Sequence, residues 1–139
     1  MISYFIIYLR GFLLCPDIMN TILKKLNYKD QNPITVLDAP QEFYEVLEEM
    51  KHVCTIKTTT DSSPIHFLLV FVKTVQDIKL ITDTCNSLLS GDCVVWYAYL
   101  KQTSKKHKSD ISRDKGWQVL GDLGYEGVRM VAIDDDWSA

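Results

Sequence analysis

The sequence has no glycine-rich turn after its first predicted strand, no CxxC pair, no P-loop, no nucleophile-elbow motif and no apolar stretch of membrane-spanning length. Each absence removes a class of function. A standard dinucleotide or nucleoside site needs glycines after the first strand so that backbone amides can approach the ligand, and Leu37-Asp38-Ala39-Pro40-Gln41-Glu42-Phe43 contains none. The four cysteines, Cys15, Cys54, Cys85 and Cys93, lack ligand spacing. They read as reduced core thiols rather than a zinc or redox centre, and a cytoplasmic setting is expected. His52, His66 and His107 are scattered. No metal and no cofactor is expected, and His66 reads as a buried, hydrogen-bonded side chain of a central strand rather than a base. A net charge of -3 and a pI near 5.5 exclude a surface given over wholly to nucleic acid or anionic membrane, although a local basic patch survives that argument.

Most of the chain has ordinary globular composition for a single domain. The exception is residues 1–18, where Met1 to Leu14 is almost wholly apolar and Cys15-Pro16 follows. About 20 residues are needed to cross a bilayer, and this stretch falls short. No basic leader or small-residue cleavage site makes it a signal peptide. The expectation is a start placed too far upstream with Met19 as the true one; a membrane anchor or an extra apolar helix are the alternatives, and a membrane partner is expected only if residues 1–18 are real.

The 19–139 unit alternates strands and helices. Asn20 to Leu26 is predicted helical, with Ile22, Leu23 and Leu26 on one face. Ile34 to Asp38 reads as a buried strand closed by Ala39-Pro40, and proline can launch the helix that follows. From Gln41 to Lys51 the apolar Phe43, Val46, Leu47 and Met50 recur at helical spacing among acids. Val53 to Lys57 and Ile65 to Val72 read as strands, the second buried on both faces. Their connection fits either a hairpin or an extended return of about 20 Å. A helix is predicted from Val75 to Leu89 and stopped by Ser90-Gly91-Asp92, then a strand from Cys93 to Tyr99. A helix from about Ser112 to Leu123 and a last strand from Val128 to Ile133 complete the pattern. The expected fold is a small three-layer α/β sandwich with a mostly parallel sheet of about five strands, Rossmann-like but without the glycine-rich loop.

In open parallel sheets ligands bind beyond the carboxyl ends of the strands. Asp38, Tyr99, Asp134 and Trp137 fall near those ends and form the candidate crevice. Three consecutive acids, Asp134 to Asp136, cannot all face one way and make a poor hard-cation site. The strongest local signal is the loop after Tyr99. Lys101, Lys105, Lys106, Lys108, Arg113 and Lys115 stand against Asp110 and Asp114, with Ser104, Ser109 and Ser112 as hydroxyl donors. A helix opening near Ser112 would turn free amides toward a bound anion. Tyr97, Tyr99 and His107 could add stacking or polar contacts, whereas Trp96 reads as core. The plain alternative is a solvated loop whose lysines serve solubility.

The runs Leu37 to Phe43, Asp92 to Lys101 with Ser104-Lys105-Lys106, and Ile133-Asp134-Asp135-Asp136-Trp137-Ser138-Ala139 resemble a small bacterial family known only as a domain of unknown function. The similarity spans about Met19 to Ala139. Its members carry an Ala-Pro turn, a tryptophan strand running into a lysine loop, and a closing Asp-x-x-Trp-Ser motif. Leu100 stands where that family often has proline. Relatives continue past the position of Ala139 with residues of the Leu-Arg-Phe type, so an edge strand is expected to be cut short. The resemblance brings no activity with it, and enzyme and binding module both remain open.

Three functions follow from these residues. The first is a non-catalytic binding or regulatory module holding a phosphate-bearing ligand or an anionic group of a partner protein at Lys101, Ser104, Lys105, Lys106, Lys108 and Arg113. A degenerate methyltransferase-like enzyme using S-adenosylmethionine is the second. Weak nucleic-acid binding is the third, and no nucleic-acid motif surrounds the basic segment.

Overall fold

The fold is taken from a computed structural model, which describes residues 21–104 and 109–139. The readings of residues 1–18, and of Lys105, Lys106, His107 and Lys108, lie outside the described residues. The elements of the described residues are β1 (Ile34–Leu37), a 3-10 turn (Gln41–Phe43) leading into α1 (Tyr44–Met50), β2 (Ile56–Lys57), β3 (Ile65–Val72), α2 (Val75–Cys85) with a 3-10 turn (Asn86–Leu88) after it, β4 (Leu89–Leu100), α3 (Gln118–Asp122) and β5 (Trp137–Ser138). Residues 21–25 form a helical entry segment.

One five-stranded sheet runs in the order β2-β1-β3-β4-β5. The first three pairings are parallel, and β5 closes the sheet antiparallel to β4 through Tyr99↔Ser138 and Leu100↔Trp137. The open alternative between β2 and β3 is thereby decided: the two strands do not pair but lie on either side of β1. Residues 58–64 return across β1, a step of two strand spacings, or roughly 10 Å.

Alternation along the strands divides the interior. Ile34, Val36, Phe67, Leu69, Phe71, Trp96, Ala98 and Leu100 join one apolar cluster with Ile22, Leu23 and Leu26 of the entry helix and Phe43, Leu47 and Met50 around α1. Leu37, Leu68, Val70, Val72 and Tyr99 join the other with Ile78 and Cys85 of α2 and with Ile111. Burial on both faces explains why β3 reads as a continuous apolar run. Trp96 donates its indole N–H to the Leu26 carbonyl at 2.7 Å, which fixes the entry helix to the sheet. Cys54 and Cys85 are buried and Cys93 half-buried, none of the three in a disulfide.

Several boundaries differ from expectation. The α-helix from Val75 ends at Cys85 and continues as a 3-10 turn to Leu88, close to the expected end at Leu89, but Ser90-Gly91-Asp92 lies inside β4 rather than between elements. Between Ile65↔Leu89 and Phe67↔Val94, two steps along β3 match five along β4. The excess forms a bulge at which Gly91 takes φ +57°, a conformation glycine adopts without a Cβ penalty. The predicted Val53 to Lys57 strand is reduced to Ile56–Lys57. His66 is exposed, not buried. The helix expected from Ser112 is confined to Gln118–Asp122, because Gly116 at φ +105° and a bridge between Ser112 and Lys115 bend the chain first. No strand forms at Val128, which is 92% exposed and has nothing to pack against. Instead residues 131–133 fold back on 137–139 through Val131, Ile133 and Ala139 backbone bonds. Among the described residues no helix is long and apolar enough to cross a membrane.

Candidate functional site

Four parallel strands deliver Asp38, Lys73 and Lys101 to one carboxyl edge, with β2 ending lower at Lys57. Because β1 leads outward to β2 while β3 lies on its other side, the strand order reverses between β1 and β3. This is the place where such sheets leave a crevice. The head of α2 follows β3 at this same edge.

That helix head is already occupied by the protein's own acids. Thr74 accepts the Asp77 N–H through its hydroxyl at 3.0 Å, and Asp77 accepts the Thr74 and Lys73 amides at 3.1 and 2.9 Å, a reciprocal capping box. Asp110, reaching in from the basic loop, accepts the Val75 N–H at 3.0 Å. Beside it Ser109 donates its hydroxyl to the Lys73 carbonyl at 2.6 Å, and Ile111 is buried in the second cluster. The amides that cradle a phosphate in related arrangements here meet two carboxylates. The Thr74-x-x-Asp77 spacing carried that signal in the sequence, whereas the reach of Asp110 to α2 did not show there.

At the start of the basic loop, Lys101 donates its backbone N–H to the Asp136 carbonyl at 2.7 Å and its ammonium to the Asp134 carbonyl. Ser104 donates its hydroxyl to Asp136 Oδ1 at 2.8 Å. Asp134 bonds back onto its own turn, accepting the Asp136 and Trp137 amides on Oδ1 at 2.8 and 2.7 Å. Asp134 and Asp136 are thus taken up by different partners, and among the described residues no group of histidine, cysteine or carboxylate side chains is arranged to hold a metal ion.

Between these anchors lies a cavity of about 530 Å³ lined by Leu100, Lys101, Gln102, Ser104, Ser109, Asp110, Ile111, Ser112 and Lys115. It brings together Lys101 and Ser104 of the candidate set, with Lys115 as a further cation. Arg113 is exposed and lies near the Tyr99 phenol, whose pKa burial raises and the guanidinium opposes. The crevice residues do not converge. Asp38 and Asp134 are exposed. Tyr99 is buried on one face, stacked edge-on against Trp117 at 5.4 Å with its hydroxyl on Met130. Trp137 is 1% exposed on the opposite face, edge-on to Phe71 at 5.1 Å and donating to Glu42 at 3.1 Å. Tyr97 is held at Thr82 by a 2.8 Å hydrogen bond, and burial pushes its phenol up. None of the three rings is offered as a flat stacking platform.

A second cavity, about 360 Å³, lies on the far side of β1 and is lined by Val36, Asp38, Ala39, Tyr44, Leu47, Glu48, Lys51 and Thr58. The sequence reading had no signal for it, since its walls come from three separated segments. No family model matches the chain, and no similar curated protein is found.

Proposed function

We propose that the chain is a non-catalytic binding or regulatory module whose basic loop holds an anionic group, carried by a small phosphate-bearing ligand or by a partner protein. The supporting observation is the cavity of about 530 Å³ at the carboxyl edge, where Lys101 and Lys115 meet the hydroxyl-bearing Ser104, Ser109 and Ser112. Lys105, Lys106 and Lys108 belong to the same loop in sequence, and Arg113 follows its second anchor. An exposed site of this kind binds mainly through charge, so its affinity falls with ionic strength. A three-layer, Rossmann-like reading of the fold is supported by the strand order and by apolar clusters with helical partners on both faces of the sheet.

The amides at the head of α2 are engaged by Asp77 and Asp110, which favours recognition by side chains over a backbone phosphate cradle. The methyltransferase-like alternative draws less support, because β1 runs into Asp38-Ala39-Pro40 without a glycine.

The test is thermal unfolding with inorganic pyrophosphate at low and high salt. Ligand at about 100 times its Kd stabilises a folded protein by roughly 2.7 kcal/mol. Stabilisation is expected at low salt, reduced at high salt, and lost when Lys105, Lys106 and Lys108 are all replaced by glutamate. Stabilisation that persists in the triple variant overturns the reading, as does the absence of any stabilisation in the parent chain.

A further inference from the structure

The cavity beside β1 differs in character from the basic loop. We propose that it binds an organic cation, a primary ammonium on a short aliphatic stem, with Asp38 as the counter-charge.

The charges around the cavity lead to this assignment. Lys51 is paired with Glu48 at 2.7 Å across one helical turn, and Lys57, at the end of neighbouring β2, is paired with Asp61 at 2.7 Å. The Asp38 carboxylate makes no hydrogen bond or ion pair among the described residues. The uncompensated charge lining the cavity is therefore negative. The positive end of α1 opposes it only weakly. That helix is seven residues long, the preceding Pro40 has no N–H to offer, and Glu42 and Glu45 occupy the first turns.

The remaining lining suits the rest of such a ligand. Val36 and Leu47 are 1% and 6% exposed and give an apolar floor on which methylene groups can lie. Tyr44 is 55% exposed at the rim, where an aromatic face attracts a cation by its quadrupole. Thr58 offers a hydroxyl acceptor. A volume of about 360 Å³ falls in the range of small-molecule sites.

Asp38 also adopts φ +56°. Asparagine tolerates that conformation at least as well as aspartate, so Asp38→Asn removes the charge without disturbing the turn.

The experiment is a titration of the full chain with n-butylammonium chloride, 1-butanol and sodium butyrate at constant ionic strength, read by amide chemical shifts. The ammonium is expected to shift Asp38, Ala39, Tyr44 and Thr58 saturably, with a Kd of roughly millimolar order as befits an exposed ion pair. The alcohol should bind about tenfold more weakly and the butyrate not at all. Asp38→Asn should weaken the ammonium about tenfold, and Lys51→Gln, which releases Glu48, should tighten it. No saturable shift, equal binding of butanol, or an Asp38→Asn variant that binds as the parent does would each overturn the assignment.

Discussion

Two aspartates show how local partners decide what a carboxylate does. The Asp38 carboxylate has no partner among the described residues, whereas Asp61 accepts the Lys57 ammonium at 2.7 Å and the Ser63 amide at 2.8 Å. The Lys57 bond is the largest influence, the Ser63 bonds come next, and together they lower the Asp61 pKa from its ordinary 3.8 to about 2. The sign follows from linkage. A depressed carboxylate contributes stability that is fully present above pH 3.8 and is lost as the pH falls through about 2. A carboxyl titration followed by NMR should place the Asp61 midpoint near 2, and Lys57→Met should return it toward 3.8. A midpoint that ignores Lys57 would contradict the structure.

At the scale of elements, the clearest lesson is which periodicities survived folding. β1 and β3 were legible because each is a mostly apolar run that, His66 apart, is buried on both faces. The apolar spacing of Phe43, Leu47 and Met50 was legible because one cluster needs all three. The helix expected from about Ser112 to Leu123 yields only the five residues Gln118–Asp122, since Gly116 at φ +105° places the preceding residues in a turn. Ser90-Gly91-Asp92 looked like a helix stop because a glycine that bulges a strand and one that ends a helix look alike locally. For α2 the cap is the decisive local feature. Thr74→Ala leaves the Asp77 amide without its acceptor and should cost about 1 kcal/mol, measured as a lower urea midpoint with an unchanged m-value. Thr74→Ser should recover most of that loss.

Across the whole molecule, the closing segment matters more than its length suggests. Trp137 fills the space against Phe71, which also meets Phe43 at 4.9 Å, and its strand joins β4 to residues 131–133. Trp137→Ala should destabilise by about 3–5 kcal/mol, seen in chemical denaturation; a loss under 1 kcal/mol would show that the tryptophan is not a core residue. In the sequence this tryptophan looked like part of a crevice, because its position at a strand end was visible and the face it takes was not. The candidate site was legible as a run of lysines but not as a cavity, for its walls depend on contacts such as Val75 to Asp110, 35 positions apart.

Those contacts have a consequence for how the basic loop could change over time or under design. Its two stems are moored separately, Lys101 and Ser104 to the Asp134 and Asp136 turn, and Ser109 and Asp110 to the junction of β3 and α2. Each stem can thus be released without releasing the other. Substitutions at one stem would alter what the edge recognises while the other stem and the sheet beneath keep their bonds.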